Sequence, residues 1–170
     1  MGRIRVVSPE WRGMPVTGMV SPDFMLELQA SDRDTKSMKT LFVAGFGPIT
    51  QDQDMSKKLY AYALGIPFEE EDNGYMHTDR VEGVKHFALW PLSQAAESCF
   101  GSSRWPEDLP VPQAWLEFDV EDIASATEEL VRLGYRLLVS ACAEPWGQIV
   151  SRFLSPEGIL VAVTHTPWMR

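Results

Sequence analysis

A chain of 170 residues, 45% hydrophobic and 11% aromatic, is long enough for one domain or two small modules sharing a core, and too apolar for wholesale disorder. Its formal net charge of −9 argues against nucleic acid or an anionic membrane surface as a partner. No run approaches the roughly eighteen apolar residues of a membrane span, and the start lacks the apolar stretch of a signal peptide, so a cytoplasmic protein is expected. Cys99 and Cys142 make no metal-type spacing with each other or with the three histidines.

Residues 1–39 are broken by Pro9, Gly13, Pro15, Gly18 and Pro22 and read as an N-terminal extension, either a natural arm or sequence upstream of a start at Met38. Only Phe24 to Leu28 is apolar enough to pack, as an edge strand or on a neighbouring subunit. From Thr40 the pattern sharpens. Leu41 to Ile49 reads as a strand whose Gly45 and Gly47 suggest a bulge or a close approach by ligand or backbone. Asp52 to Leu64 predicts a helix with Met55, Leu59, Tyr62 and Ala63 on one stripe, stopped by Gly65. Short strands follow at Ile66 to Glu71, Tyr75 to Asp79 and Val84 to Trp90, with turns at Asp72-Asn73-Gly74 and Glu82-Gly83. Residues 93–113, rich in Gly, Ser and Pro, read as a linker.

The second half repeats the order. In Ala114 to Val120, Leu116, Phe118 and Val120 alternate with Trp115, Glu117 and Asp119, a period of two that predicts a half-buried strand. Asp122 to Leu133 is helical, with Asp122 as N-cap and Gly134 as stop. Strands at Tyr135 to Val139, Gln148 to Leu154 and Ile159 to Val163 complete it, the last two joined by the turn Ser155-Pro156-Glu157-Gly158. Asp52…Gly65 matches Asp122…Gly134, and Glu82-Gly83 matches Glu157-Gly158, an internal repeat with an offset of about 70 to 75 residues. The domain boundaries expected are 1–39 extension, 40–92 first module, 93–113 linker and 114–170 second module.

This strand-helix-strand-strand-strand order, with Pro145-Trp146-Gly147-Gln148 before the third strand and Ser155-Pro156-Glu157-Gly158 before the fourth, resembles one half of the vicinal oxygen chelate superfamily of glyoxalase I, extradiol dioxygenases and bleomycin-resistance proteins. The resemblance covers residues from about 38 onward. It implies an α+β fold of tandem βαβββ modules, whose curved mixed sheet surrounds a cavity.

In that family's enzymes a divalent metal is held by His, Gln or Glu on the first and last strands of each module, donors that must converge within about 2.0–2.6 Å. Carried across the repeat, those positions fall at Gly45, Phe87, Trp115 and Ala162, none with a ligating side chain. No metal and no cofactor are therefore expected. A one-residue bulge would bring in His86 instead of Phe87, and with Glu117 this supplies the alternative of a rearranged metal site, in a lyase, isomerase or dioxygenase. A third class is a regulatory module that binds a partner protein.

What the expected cavity has instead is aromatic surface. Phe46, Phe87, Tyr75, Trp90, Trp115 and Trp146 come from strands and loops that the fold would bring around it, suiting flat, apolar or cationic guests. Glu117, Arg152, Lys85 and His86 are its candidate polar groups, and the Glu69-Glu70-Glu71-Asp72 run would favour a cation or simply be solvated. Trp115 is expected to point inward with Glu117 and offer a stacking face. His77 and His165 read as ordinary edge histidines. The expectation is thus a metal-free protein binding a small aromatic or cationic molecule, with ligand-binding residues Phe46, Tyr75, His86, Trp90, Trp115, Glu117, Trp146 and Arg152, and a homodimer as the candidate assembly.

Overall fold

The computed structural model describes residues 38–170, so residues 24–28 and nearly all of the expected extension lie outside the described residues. The elements run β1 (Thr40–Thr50), α1 (Gln53–Lys57) continued by a π-helical segment (Lys58–Ala63), β2 (Glu69–Glu70), β3 (Met76–Thr78), β4 (Phe87–Pro91) and α2 (Leu92–Phe100). Then follow β5 (Ala114–Val120), α3 (Ile123–Arg132), β6 (Leu137–Ala143), β7 (Ile149–Leu154), β8 (Leu160–His165) and a 3-10 turn (Pro167–Met169). All eight strands form one curved, unclosed mixed sheet in the order β2-β3-β4-β1-β5-β8-β7-β6.

The order is its own mirror about the β1–β5 seam. Those two strands pair antiparallel, and each has its module's last strand parallel on its other side, β4 beside β1 and β8 beside β5. Antiparallel strands complete each half. The repeat seen in sequence is thus a pair of βαβββ modules joined through their first strands.

Local chemistry places the helices. Asp52 accepts from the Met55 amide and Asp122 from the amides of Ala124 and Ser125, so each first turn has its orphan donors satisfied at equivalent places. Gly65 and Gly134 stand at φ 68° and 85°, a left-handed conformation that ends each helix and that a Cβ would strain.

Three elements differ from expectation. The first helix widens into π turns, with Leu64 N bonding to Leu59 O, and none of its residues is buried. The second strand shrinks to Glu69–Glu70, because Pro67 has no N–H to give a ladder. In the expected linker, Leu92–Phe100 is helical. Its Leu92, Ala95, Ala96, Cys99 and Phe100 follow a helical period, and Ala95, Ala96 and Cys99 enter the core.

Side-chain alternation gives the sheet two different faces. Val120, Phe153 and Val163 face α3 and pack with its Ala126 and Leu130. The opposite face carries Trp115 and Leu160, which pack with Ala88, Ile49, Trp105, Leu109 and the buried residues of α2.

Gly45 and Gly47 owe their place to this second face. A Cβ on Gly45 would lie 2.5 Å from the Trp115 ring, and one on Gly47 only 1.9 Å from the Ala88 carbonyl oxygen of the neighbouring strand. The close approach expected at these glycines is made by the protein itself. Because the Ala88 carbonyl is backbone beside the paired strand, Gly47→Ala is expected to destabilise by at least about 2 kcal/mol. Urea unfolding checks this, and a stability loss under about 0.5 kcal/mol would refute the packing argument.

Candidate functional site

The second face lines a cavity of about 360 Å³, near the lower end of the usual size for small-molecule sites. Its walls come from both modules. β4 and the loop before it supply His86 and Trp90, β3 and its turn supply Asn73, Tyr75 and His77, and β5 supplies Trp115 and Glu117. β7 and the Pro145-Trp146-Gly147 loop supply Arg152, Gln148 and Trp146, and the segment after β8 adds Thr166, Trp168 and Met169.

The register explains the convergence. Gly45 pairs with Glu117, Glu117 with Ala162, and Ala162 with Arg152, so these four stand in one row across the sheet. Phe46 pairs with Phe87, which sets His86 beside Gly45 at the other end of that row. The row joins β4, β1, β5, β8 and β7.

Its charged centre is Arg152, only 2% exposed. Nη1 donates to Glu144 Oε1 at 2.8 Å and to Ser98 Oγ at 2.8 Å, and the guanidinium lies 5.4 Å from the Trp90 ring centroid. Nη2 stands 3.9 Å from Glu117 Oε1, an ion pair too long for a hydrogen bond. Glu117 Oε2 accepts from Gln148 Nε2 at 3.0 Å, and Gln148 Oε1 accepts from Trp146 Nε1 at 2.9 Å. Burial pushes the Glu117 carboxyl above its ordinary range, against the pull of Arg152 and of the Gln148 bond. For Arg152, burial opposes the charge, but the nearby anions, Glu117 first, outweigh it and hold the guanidinium protonated.

A second polar group lies at the β3–β4 end. Tyr75 Oη and His86 Nε2 share a hydrogen bond of 2.9 Å, and the rings of Tyr75, His77 and His86 stack on one another at 5.4–6.2 Å. Burial, then neighbouring His77, lowers the His86 pKa, so its imidazole is neutral at pH 7. Burial raises the Tyr75 phenol, which keeps its proton.

Seven of the eight residues singled out in the sequence, Tyr75, His86, Trp90, Trp115, Glu117, Trp146 and Arg152, line this cavity. Phe46 does not. It sits one residue from both inward glycines, so alternation turns it to the other face, where it is 44% exposed and packs against Phe87. Phe87 follows it there, among Tyr60 and Phe68, and His86 takes the inward position that counting from the turn glycine had given to Phe87. Lys85 also lies outside the cavity, its ammonium 2.9 Å from the Met169 carbonyl and over the Phe42 ring.

Trp115 points inward as expected, yet it offers no free stacking face. It is 4% exposed, embedded in the core, edge-on to Trp90 at 5.8 Å and laid across Gly45. His77, taken as an edge histidine, is part of the wall, as is Glu71, 3.7 Å from it. Glu144 was missed: it lies just past the end of β6, opposite Gln148, while the residue paired with Arg152 is Val139, so no cross-strand spacing pointed to it. Trp168 carried no sequence signal.

These positions give the test for a metal. At the four places where the resemblance put ligands no side chain is a donor, and the inward donors beside them are His86, already bonded to Tyr75, and Glu117, bonded to Gln148 and paired with Arg152. Gly45, Trp115 and Ala162 offer none, and the Trp115 ring covers Gly45. Among the described residues no three His, Cys, Asp or Glu side chains are grouped to hold a metal ion. The residues present do not fit the family's metal.

Two βαβββ modules cupping one cavity define the class of protein. The chain belongs to the Glyoxalase/Bleomycin resistance protein/Dioxygenase superfamily, whose family model matches residues 46–163. Solved structures similar to it include a superfamily member from Vibrio splendidus 12B01, 17% identical with a TM-score of 0.49, covering 75% of this chain and 100% of that one. Methylmalonyl-CoA epimerase from Mycobacterium tuberculosis is 15% identical with a TM-score of 0.48, covering 81% of this chain and 96% of that one. A superfamily protein from Nocardioides is 19% identical with a TM-score of 0.32, covering 83% and 91%. No curated protein matches the chain significantly in sequence. Among the described residues no helix is long and apolar enough to cross a membrane.

Proposed function

We propose that this chain is a metal-free small-molecule binding protein of the glyoxalase/bleomycin-resistance type, whose guest is a small aromatic or cationic molecule. The observation that carries the reading is the Trp115 indole lying over Gly45, in the space where two of the family's ligand positions would meet. The remaining wall supports it. Trp90, Trp146 and Trp168 give faces for stacking or cation–π contact. Glu71, Glu117 and Glu144 outnumber Arg152 around the site, which biases its potential toward a cation.

The test uses protein purified without chelator and three probes: N-methylquinolinium, an aromatic cation; 2-naphthol, a neutral aromatic with a hydroxyl; and choline, a cation without a ring. Elemental analysis is expected to find no stoichiometric metal. At least one probe is expected to raise Tm, because a ligand bound only to the folded state at 100 times its Kd adds about 2.7 kcal/mol. Stoichiometric zinc, nickel, manganese or iron that disappears in His86→Ala would overturn the reading in favour of a rearranged metal site. Failure of all three probes to shift Tm would overturn it in favour of a surface that binds a partner.

A further inference from the structure

We propose that Trp146 and Trp168 form an outer subsite at the cavity mouth, which takes the planar ring of a guest whose polar end meets Glu117 and Arg152. This rests on the reading of the cavity as a small-molecule site and specifies the shape of its ligand.

Both indoles line the cavity, yet they are 59% and 53% exposed. They come from separate segments outside the strands, and each is held in place. Trp146 Nε1 donates to Gln148, which donates to Glu117, so a ring at the rim is tied to the carboxylate at the floor. Trp168 sits in the 3-10 turn after β8, fixed from both ends by Asp119. The fully buried Asp119 accepts from the Thr166 amide at 2.7 Å and from Arg170 Nε at 3.0 Å, while Arg170 Nη2 donates to the Val120 carbonyl at 2.6 Å. Lys85 holds the Met169 carbonyl at 2.9 Å. A buried carboxylate is desolvated at a cost, met here by charge-assisted bonds, and their result is an anchored turn that carries an exposed indole.

The two segments approach at Gly147, where a Cβ would lie 3.9 Å from the Trp168 ring. Two half-exposed indoles carried on one rim present apolar area that a flat ring covers by stacking. At the floor, Arg152 Nη2 and Glu117 Oε1 stand 3.9 Å apart, so one heavy atom on the cavity side of the pair can accept from the first and donate to the second. A hydroxyl does both. The ligand class is therefore a planar aromatic with a short polar head.

Calorimetric titration of wild type, Trp146→Ala, Trp168→Ala, Trp168→Phe and Arg170→Ala with the same three probes tests the subsite. Trp146 and Trp168 are more than half exposed, so these variants are expected to keep the wild-type Tm. Each Ala variant is expected to bind 2-naphthol or N-methylquinolinium about five- to tenfold more weakly, with a smaller loss for choline, which has no ring to stack, and Trp168→Phe within about threefold of wild type. Arg170→Ala is expected to weaken binding of the planar probes, because the turn that carries Trp168 loses its anchor to Asp119. Unchanged planar-probe affinity in either Ala variant would overturn the subsite and leave the broader reading standing, as would a wild type that binds choline alone. A wild type that binds none of the three would overturn both.

Discussion

Arg152→Met is expected to lose about 3–5 kcal/mol of folding stability at neutral pH, because it leaves two buried carboxylates without their cation. The side chains of Arg152 and Glu144 are 3% and 6% exposed, so neither is screened by water, and Met replaces the stem while removing every donor. The loss is expected to depend on pH. The Glu117 pKa is already raised in the folded state by burial, and Arg152 is the first force pulling it down. A carboxylate with a raised folded pKa contributes stability that is present below its unfolded value and lost as pH rises through the folded one. Without Arg152 that window widens upward, so the variant should recover part of its stability as pH falls toward the ordinary carboxylate range. Adding Glu144→Gln should return part of the loss at neutral pH, since the two residues are in direct contact. Urea unfolding at neutral and mildly acid pH measures all of this. A single-variant loss below about 1 kcal/mol, independent of pH, would mean that water already reaches these charges.

Trp115→Ala is expected to cost a similar amount, about 3–5 kcal/mol, as for other buried aromatic truncations. The indole packs with Trp90 edge-on at 5.8 Å and with His86 at 6.2 Å, and a Cβ on Gly45 would lie 2.5 Å from it. Truncation would leave a void over Gly45 and Gly47 that backbone cannot collapse to fill, since β1 is held between β4 and β5. Its Nε1 is buried without a hydrogen-bond partner among the described residues, so Trp115→Phe removes that unmet donor and should cost much less than the alanine change. Denaturant unfolding of both variants decides. Near-wild-type stability of Trp115→Ala would mean that the ring is a mobile lining of the cavity and no part of the core.

The expected cavity was legible in the sequence because a strand with alternating residues exposes its own register. Trp115 and Glu117 could be placed on one face by counting, and Arg152 could be nominated by its oddness in an apolar strand. The same counting failed at Phe87, where the start of the last strand had to be guessed from a turn. There a shift of one residue exchanges the faces of His86 and Phe87. It failed also at Phe46, named among the cavity's aromatics although alternation sets it on the face opposite Gly45 and Gly47.

What the amino-acid order determined alone was the pair of modules, since caps, stops and turn residues act locally and recur at matching places in both halves. It also showed that Gly45, Trp115 and Ala162, where the resemblance puts ligands, have side chains that cannot ligate a metal. Only the tertiary structure decided that Arg152 is paired with Glu144 and hydrogen-bonded to Ser98 from two other elements, that Trp115 is packed and not presented, and that Asp119 anchors the turn that carries Trp168 at the mouth. Each of these joins elements through the strand order and register. A contact between Asp119 and Arg170, or between Ser98 and Arg152, has no period and no local signature, because it exists only once β5, β8 and β7 lie side by side.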